Sequence, residues 1–515
     1  MPLHVLRPSR RRERGQTMVL GALTFLVLAL LVALSFNLGH ALRKKVSLQQ
    51  HSDVLAYSMA VLEARALNYY AVSNRSIAAS YVAMNSIHAY MAASSVTGEM
   101  MRASRGNFQL IAAQEFAQCG CKKCFKHCVH AFKALRIASK YGSAGRKYDR
   151  KVRGLEGNFN TIMTGLDRMV DDIHASQSQV HTRTLEAVRD GRAHGLGRLA
   201  DANAPGVGEL PGQVGRLNAD ELECAVDGRP CESSVASSPL KARARVMTEV
   251  ANASRPGWPA NRGVFFSYPS YLHGDFLKEL RDIPGEGSHW VLPKHKGTAK
   301  TVQSPGALHG PGQSAGNEGL AVSADESGAM FNQWKHGIAP SGSYSVRVWS
   351  DKNGGGHRPG GAHQGRHRFE GVNTKGLTAC ARGGNCFMKF RANDDARRDW
   401  GQPRVYSYLS RKLRWGDSGK PLPWELNDSA TVTFRQGAST GKLTLAADEG
   451  AALSQALVYY HRFGENGWRE APNLFSPYWR AKLHPLTREQ AVKVLEAAGD
   501  EDAARLVQGA GRLAL

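Results

Sequence analysis

Proline is missing over a very long stretch of this chain. Of 21 prolines only Pro2 and Pro8 precede Pro205, and none occurs from Ser9 to Ala204. An interior proline costs a helix about 3 kcal/mol, so its absence leaves the first two-fifths free to form long α-helix. Charge is missing from Gly15–Gly39 (GQTMVLGALTFLVLALLVALSFNLG), which has the basic cluster RPSRRRER just ahead of it. Acidic residues are the scarcer sign throughout, 44 Asp and Glu against 67 Lys and Arg, for a net charge of +23. With 42% hydrophobic and 22% charged residues the composition is that of folded material, and 515 residues leave room for more than one domain. The basic excess suits a polyanion such as an anionic cell surface or shed nucleic acid, or simply a solvated basic exterior with no specific partner.

A helix rises about 1.5 Å per residue and a bilayer's hydrocarbon core needs roughly 20 apolar residues, so Thr17–Leu38 is long enough to span. A cleaved signal peptide is the competing reading, with Ala33-Leu34-Ser35 as its cleavage site, but such peptides have an apolar core of only about 7–15 residues. Here Arg43, Lys44 and Lys45 open a further helical pattern instead of a turn, which fits a signal anchor. Twin-arginine export is disfavoured by Glu13 and Arg14, which sit where that signal wants an apolar residue. Arg7, Arg10, Arg11, Arg12 and Arg14 before the span outnumber the three basic residues after it. The positive-inside rule therefore keeps the N-terminus cytoplasmic, in the inner membrane, and the bulk outside.

Beyond the span, Leu48, Leu55, Met59, Leu62, Ala66 and Tyr69 recur at helical spacing, and the stripe resumes as Ile77, Tyr81, Met84, His88 and Met91. Small residues are dense on this rod, and Ala56, Ala60, Ala64 and Ala71 form a seam suited to close approach of partner helices. A turn is expected near Cys119–Cys128, followed by returning helices at Val129–Tyr141 and Leu155–Arg189, the second carrying Leu155, Phe159, Ile162, Leu166, Met169, Val170 and Ile173. Gly191–Gly257 reads as connector with a helix around Pro239–Asn252. Strands are expected at Gly263–Tyr268, His289–Leu292, Tyr344–Ser350, Thr431–Arg435, Lys442–Ala446 and Ala456–Arg462. Low-complexity loops are expected at Thr298–Asn317 and Asn353–Arg368, and a last helix at Thr487–Gly509, with Thr487 and Gln490 as its capping box. The fold class is α+β: a single N-terminal transmembrane helix continuing into a helical stalk or hairpin, then a β-rich C-terminal domain with a terminal helix. In segments this is a basic tail (1–16), the transmembrane helix (17–38), an extracytoplasmic helical stalk or bundle (39–190), a connector (191–257) and an α+β domain (258–515).

The eight cysteines fall in three sets, Cys119/Cys121/Cys124/Cys128, Cys224/Cys231 and Cys380/Cys386, which read as small disulfide loops in an oxidising compartment. The first set, with His127 and His130 beside it, is also open to zinc through four thiolates or three and an imidazole, although its spacing is compact for two knuckles. A redox Cys121-x-x-Cys124 is the third reading, but no strand precedes it. Gly437-Ala-Ser439-Thr-Gly441 matches a nucleophile elbow, yet both flanks read as strands, which makes a hairpin turn the simpler account. Followed by Lys442, the same glycines miss the phosphate-loop pattern by one residue, and Leu443 stands where it wants Ser or Thr. His357, His363 and His367 sit in a Gly-rich loop open to a metal ion or to plain solvation. Asp171/Asp172 and Asp394/Asp395 are adjacent carboxylates that nothing sets facing each other across a cleft. The reading is of a protein that is not an enzyme and needs no cofactor.

Arg14-Gly-Gln16, the apolar span, and Leu48-Gln49 with Asp53, Ala56 and Ser58 resemble the amino-terminal region of TadE/TadG-like proteins of the tight-adherence (Flp) pilus machinery. Ala64-Arg65-Ala66-Leu67-Asn68 with Asn74-Arg75 is similar to a segment of longer members, and the resemblance covers roughly residues 10–90; the rest of the chain shows no such resemblance, the stretch from Tyr459-Tyr460-His461 to Pro477-Tyr478-Trp479-Arg480 being only faintly similar. Cutting after Gly15 would place Leu20 where prepilin-type processing wants Glu, which is closer to the uncut, TadG-like members. The resemblance implies a bitopic structural component of pilus assembly or secretion, with other membrane and assembly proteins as partners through the N-terminal helix and no specific nucleic acid. The rival readings are an adhesin-like module that binds polyanions and a membrane-tethered hydrolase using Ser439.

Overall fold

The computed structural model describes residues 11–120, 124–203, 209–232, 236–238, 265–266, 290–302, 323–334, 341–349, 357–359, 387–412, 429–436, 439–446, 449–464 and 467–509. Helix α1 runs without a break from Arg11–Ala117, 107 residues, about 160 Å at the helical rise. Its first part is the one helix among the described residues that is long and apolar enough to cross a membrane. Side chains along it stand clear of the rest of the chain, with Met18 and Phe25 each 80% exposed.

Helix α2, Phe125–Asp190, returns antiparallel to α1. The two expected helices are thus one, and the glycines between them, Gly142, Gly145 and Gly154, are absorbed into it. Tyr141, Ala144, Tyr148 and Val152 are buried there against α1, which offsets the roughly 1 kcal/mol each helical glycine costs. Of the stripe expected on α2, Phe159 and Val170 are buried, whereas Ile162 and Met169 face outward and Met163, outside that stripe, is buried. Two shorter helices follow, α3 at Leu196–Asn203 and α4 at Gly212–Ala225. A Cβ on Gly215 would lie 1.8 Å from the Arg189 carbonyl oxygen, so only glycine lets α4 press so close to the end of α2.

Strands β1 (Phe265–Phe266), β2 (Trp290–Val302), β3 (Ser323–Gln333), β4 (Ser341–Trp349) and β5 (His357–Pro359) pair in chain order as an antiparallel meander. β2 and β5 therefore run into both stretches expected to be loops, while the helix expected at Pro239–Asn252 lies outside the described residues. β7 (Ser429–Gln436) and β8 (Ser439–Ala446) form a hairpin in which Gln436 faces Ser439.

The small C-terminal sheet consists of β6 (Arg404–Lys412), β9 (Glu449–Tyr460) and β12 (Trp479–Leu483), with β9 central and both neighbours antiparallel to it. Between β9 and β12 lies a two-residue pair, β10 (Phe463–Gly464) with β11 (Gly467–Trp468). The terminal helix begins on the expected capping box, Thr487 with Gln490, but divides at Gly499 into α5 (Arg488–Ala498) and α6 (Glu501–Gly509).

Among the described residues two apolar cores lie along the helical rod. The outer one joins Met101, Phe108 and Ile111 of α1 to Ile137, Tyr141 and Tyr148 of α2, with Trp334 after β3 added from the meander. The other is larger and lies nearer the membrane-type segment. It unites α1 from Leu48 to Tyr70 with the end of α2, α4, the C-terminal sheet and α5. Burial of this sort stabilises by about 25 cal/mol per Å² of apolar surface removed from water.

Candidate functional site

The candidate site is the junction where the C-terminal sheet clasps α1 just beyond its apolar span. The polar residues of α1 on this face each meet the sheet. Lys45 Nζ donates to the Ala451 carbonyl. Gln49 Nε2 donates to the Leu453 carbonyl at 3.1 Å and contacts Ser454 Oγ at 2.9 Å, and Ser454 Oγ in turn donates to Asp53 at 2.6 Å. Ser52 and Ser407 meet hydroxyl to hydroxyl at 2.6 Å, fully buried. Between these contacts Ala56, Ala60 and Ala64 are buried within the same core as β6 and β9, and Ala71 is buried as well. The alanine seam expected to receive partner helices is thus covered by the chain's own fold. Small side chains serve here to let the other elements of this core, the C-terminal sheet with α2 and α4, sit close against α1.

Three asparagines close the junction by acting as strand mimics. Asn68 accepts from the Trp479 N–H at 3.0 Å and donates to the Trp479 carbonyl at 2.9 Å, satisfying the outer edge of β12. Asn218 of α4 does the same for Tyr406 on β6, at 2.7 and 2.9 Å, so both edge strands of the sheet are capped by a side-chain amide. Asn74 binds the Met388 N–H at 3.1 Å and its carbonyl at 2.7 Å, and reaches the Leu474 carbonyl at 2.6 Å. An unpaired buried backbone group costs about 1–3 kcal/mol, so these amides hold distant segments together. In the sequence Asn68 and Asn74 stand out only through the family resemblance. The physical signal available was polar residues of low helix propensity inside a buried helical face.

Beneath the junction lies a buried polar group. Tyr70 Oη and His181 Nδ1 are 3.0 Å apart, and His181 Nε2 is 3.2 Å from Glu223. Glu63 is fully buried, and neither carboxylate oxygen has a hydrogen-bond partner among the described residues. Burial, reinforced by the nearby Glu221 carboxylate, holds the Glu63 carboxyl well above the usual carboxylate range. Burial thus favours the protonated form of this carboxyl.

On the far side of α4 a cleft of about 1100 Å³ is lined by Arg391, Arg397, Arg398, Arg488, Lys493 and Tyr406 with several carboxylates among them. Its wall is a tight segment in which Asp399, Trp400 and Gly401 all have positive φ, at 49°, 60° and 84°. At Gly401 a Cβ would lie 2.7 Å from the Arg391 carbonyl oxygen. Arg404 holds this turn, bonding Asp399 at 2.7 Å and the Arg397 carbonyl at 2.6 Å. Backbone held in this region costs of order 1–3 kcal/mol per non-glycine residue, and the ion pair offsets it. The charges lining the cleft are of both signs, and no nucleophile–base pair is assembled there among the described residues.

Cys119 pairs with Cys128 across the hairpin turn, with Cα atoms 5.1 Å apart, and Cys224 pairs with Cys231 at 4.8 Å. Cys124 is disulfide-bonded too, so these sulfurs are not thiolate ligands. Cys121, Cys380 and Cys386 lie outside the described residues, as do His363 and His367. The Cys224–Cys231 loop is itself docked: Val226 bridges Phe390, and Arg391 donates to the Val226 and Arg229 carbonyls at 2.9 and 2.6 Å. Ser439 opens a strand that pairs with the preceding one, and no helix follows it.

Fold and junction together define a helical hairpin with a membrane-length apolar segment at one end and its C-terminal sheet folded back onto the base of the rod. Compared with protein-family models, with curated proteins and with solved structures, the chain finds no match.

Proposed function

We propose that this chain is a single-pass, membrane-anchored structural component of a tight-adherence (Flp) pilus-assembly or secretion machine, of TadE/TadG-like kind, with its N-terminus in the cytoplasm. The observation that carries this reading is the meeting of two stretches far apart in sequence. Gln49, Asp53, Ala56, Asn68 and Asn74 come from the amino-terminal stretch that carries the resemblance, and Tyr460 and Trp479 from the C-terminal sheet. They fold into one junction, with Asn68 on the backbone of Trp479. That junction fixes the outer body directly onto the helix that enters the lipid, so force on one is transmitted to the other. Partner helices meet the exposed Thr17–Leu38 segment, because the alanine face beyond it is already occupied.

The test is deletion of the chain in its own host, with complementation by the full chain and by a version lacking residues 17–38. Surface fibres should vanish on deletion and return only with the full chain. Fibres of normal number and length in the deletion strain would overturn the proposal.

A further inference from the structure

At the far end of the rod, where α1 turns into α2, three ligating side chains converge that the proposed function does not use. Glu115 projects from the last turns of α1 and is buried. His127 and His130 lie three residues apart near the start of α2 and so share one face of that helix. Both present Nδ1 to the same carboxylate oxygen, His127 at 2.6 Å and His130 at 3.8 Å from Glu115 Oε2. One ligand atom from each of the three lies within 4.8 Å of the others.

We propose that Glu115, His127 and His130 bind a divalent transition-metal ion, zinc by the chemistry of the donors, which ties the end of α1 to the start of α2. Two imidazoles and a carboxylate at bond lengths of about 2.0–2.2 Å place their ligand atoms roughly 3.3 Å apart in a tetrahedral set, and the observed separations bracket that value. The ion takes the position of the proton now shared between His127 and Glu115. A fourth position stays open to water on the side of His127, whose side chain is 34% exposed.

The surroundings are those of a built site. Trp334 Nε1 donates to the other Glu115 oxygen at 2.7 Å, the kind of outer hydrogen bond that orients a ligating carboxylate. The ring of His130 stands edge-on to the Trp334 indole, with centroids 6.4 Å apart. The Cys119–Cys128 disulfide closes the turn between the two helices and so sets Glu115 opposite the histidines. Because those sulfurs are bonded to each other, the nitrogen and oxygen donors are the ones left to bind an ion. This inference stands independently of the pilus proposal.

The experiment uses the full chain, purified in detergent without a histidine tag, stripped with chelator and titrated with Zn²⁺ and Co²⁺ by calorimetry, alongside Glu115→Gln, His130→Gln and Trp334→Phe. Helical circular dichroism serves as the control for folding. Wild type should take up one equivalent tightly. Loss of either ligand should weaken that equivalent by at least about 100-fold, and Trp334→Phe by about 10–100-fold. X-ray absorption at the metal edge of the wild-type complex should show nitrogen and oxygen neighbours, which keeps the test decisive even where a variant fails to fold. Equal affinity in wild type and Glu115→Gln, no tight equivalent at all, or sulfur in the coordination sphere would each overturn the assignment.

Discussion

Glu63 illustrates how one buried side chain sets the response of the whole junction to pH. The Glu221 carboxylate of α4 acts on it, and it acts in turn on Tyr70 of α1, around which stand His181 of α2, Glu223 of α4 and the positive charge of Arg229. Its folded pKa is raised above the unfolded one, so the folded state holds the extra proton, and this group's contribution to stability is fully present at low pH and is lost as pH rises. Stability should then fall by about 1.4 kcal/mol per pH unit as pH rises from the ordinary carboxylate range towards the raised value. Glu63→Gln should flatten that slope and raise the melting temperature at pH 8, which thermal denaturation across pH measures. Asn74 works through its backbone partners instead. Asn74→Ala leaves the Met388 N–H and carbonyl without their amide, and a loss of about 2–4 kcal/mol is expected in denaturant titrations.

At the scale of elements, the contact between α1 and the C-terminal sheet decides how the alanine seam is understood. Ala60 is fully buried in the junction core. Ala60→Leu should therefore destabilise the outer body by about 1–3 kcal/mol through overpacking, without changing how much protein reaches the membrane. Faster proteolysis of residues 404–483 in the variant, at equal membrane levels, is the expected result. Helical periodicity made this face legible as an interface, and small residues marked it as a close one. Its occupant was not legible, because β9 meets α1 across roughly four hundred residues of chain and no local pattern names so distant a partner. β12 escaped notice for a related reason: WRAKL is short, with one fully buried side chain, and it is a strand because Asn68 and β9 satisfy its two edges.

Taken whole, the molecule is asymmetric along its rod, bare and apolar at one end and closed by a disulfide turn at the other. Charge placed in the bare segment tests its role in the intact chain. An arginine at the centre of a spanning helix costs about 2.5–3.5 kcal/mol in insertion, so Leu28→Arg together with Leu31→Arg should shift the protein from the membrane fraction to the soluble one. The folded junction should survive, because those residues contact none of it. Retention in carbonate-washed membranes at wild-type level would show that something other than this helix holds the chain there.

The amino-acid sequence alone determined the features that depend on near neighbours. Absence of proline and recurrence of apolar residues specify long helix through the first two-fifths, though not that the return is one helix instead of two; an uninterrupted apolar run specifies a segment of membrane length. Thr487 with Gln490 specifies a helix start, and the close spacing of Cys224 and Cys231 specifies a small loop. Tertiary structure alone decided that the C-terminal sheet folds back onto the base of the rod, that Asn68, Asn74 and Asn218 serve as strand edges, that Glu63 is buried with its carboxyl pKa raised, and that Glu115 meets His127 and His130. The physical reason is common to all four. Periodicity and propensity report which face of an element avoids water, whereas the identity of what covers that face depends on contacts between residues far apart in the chain.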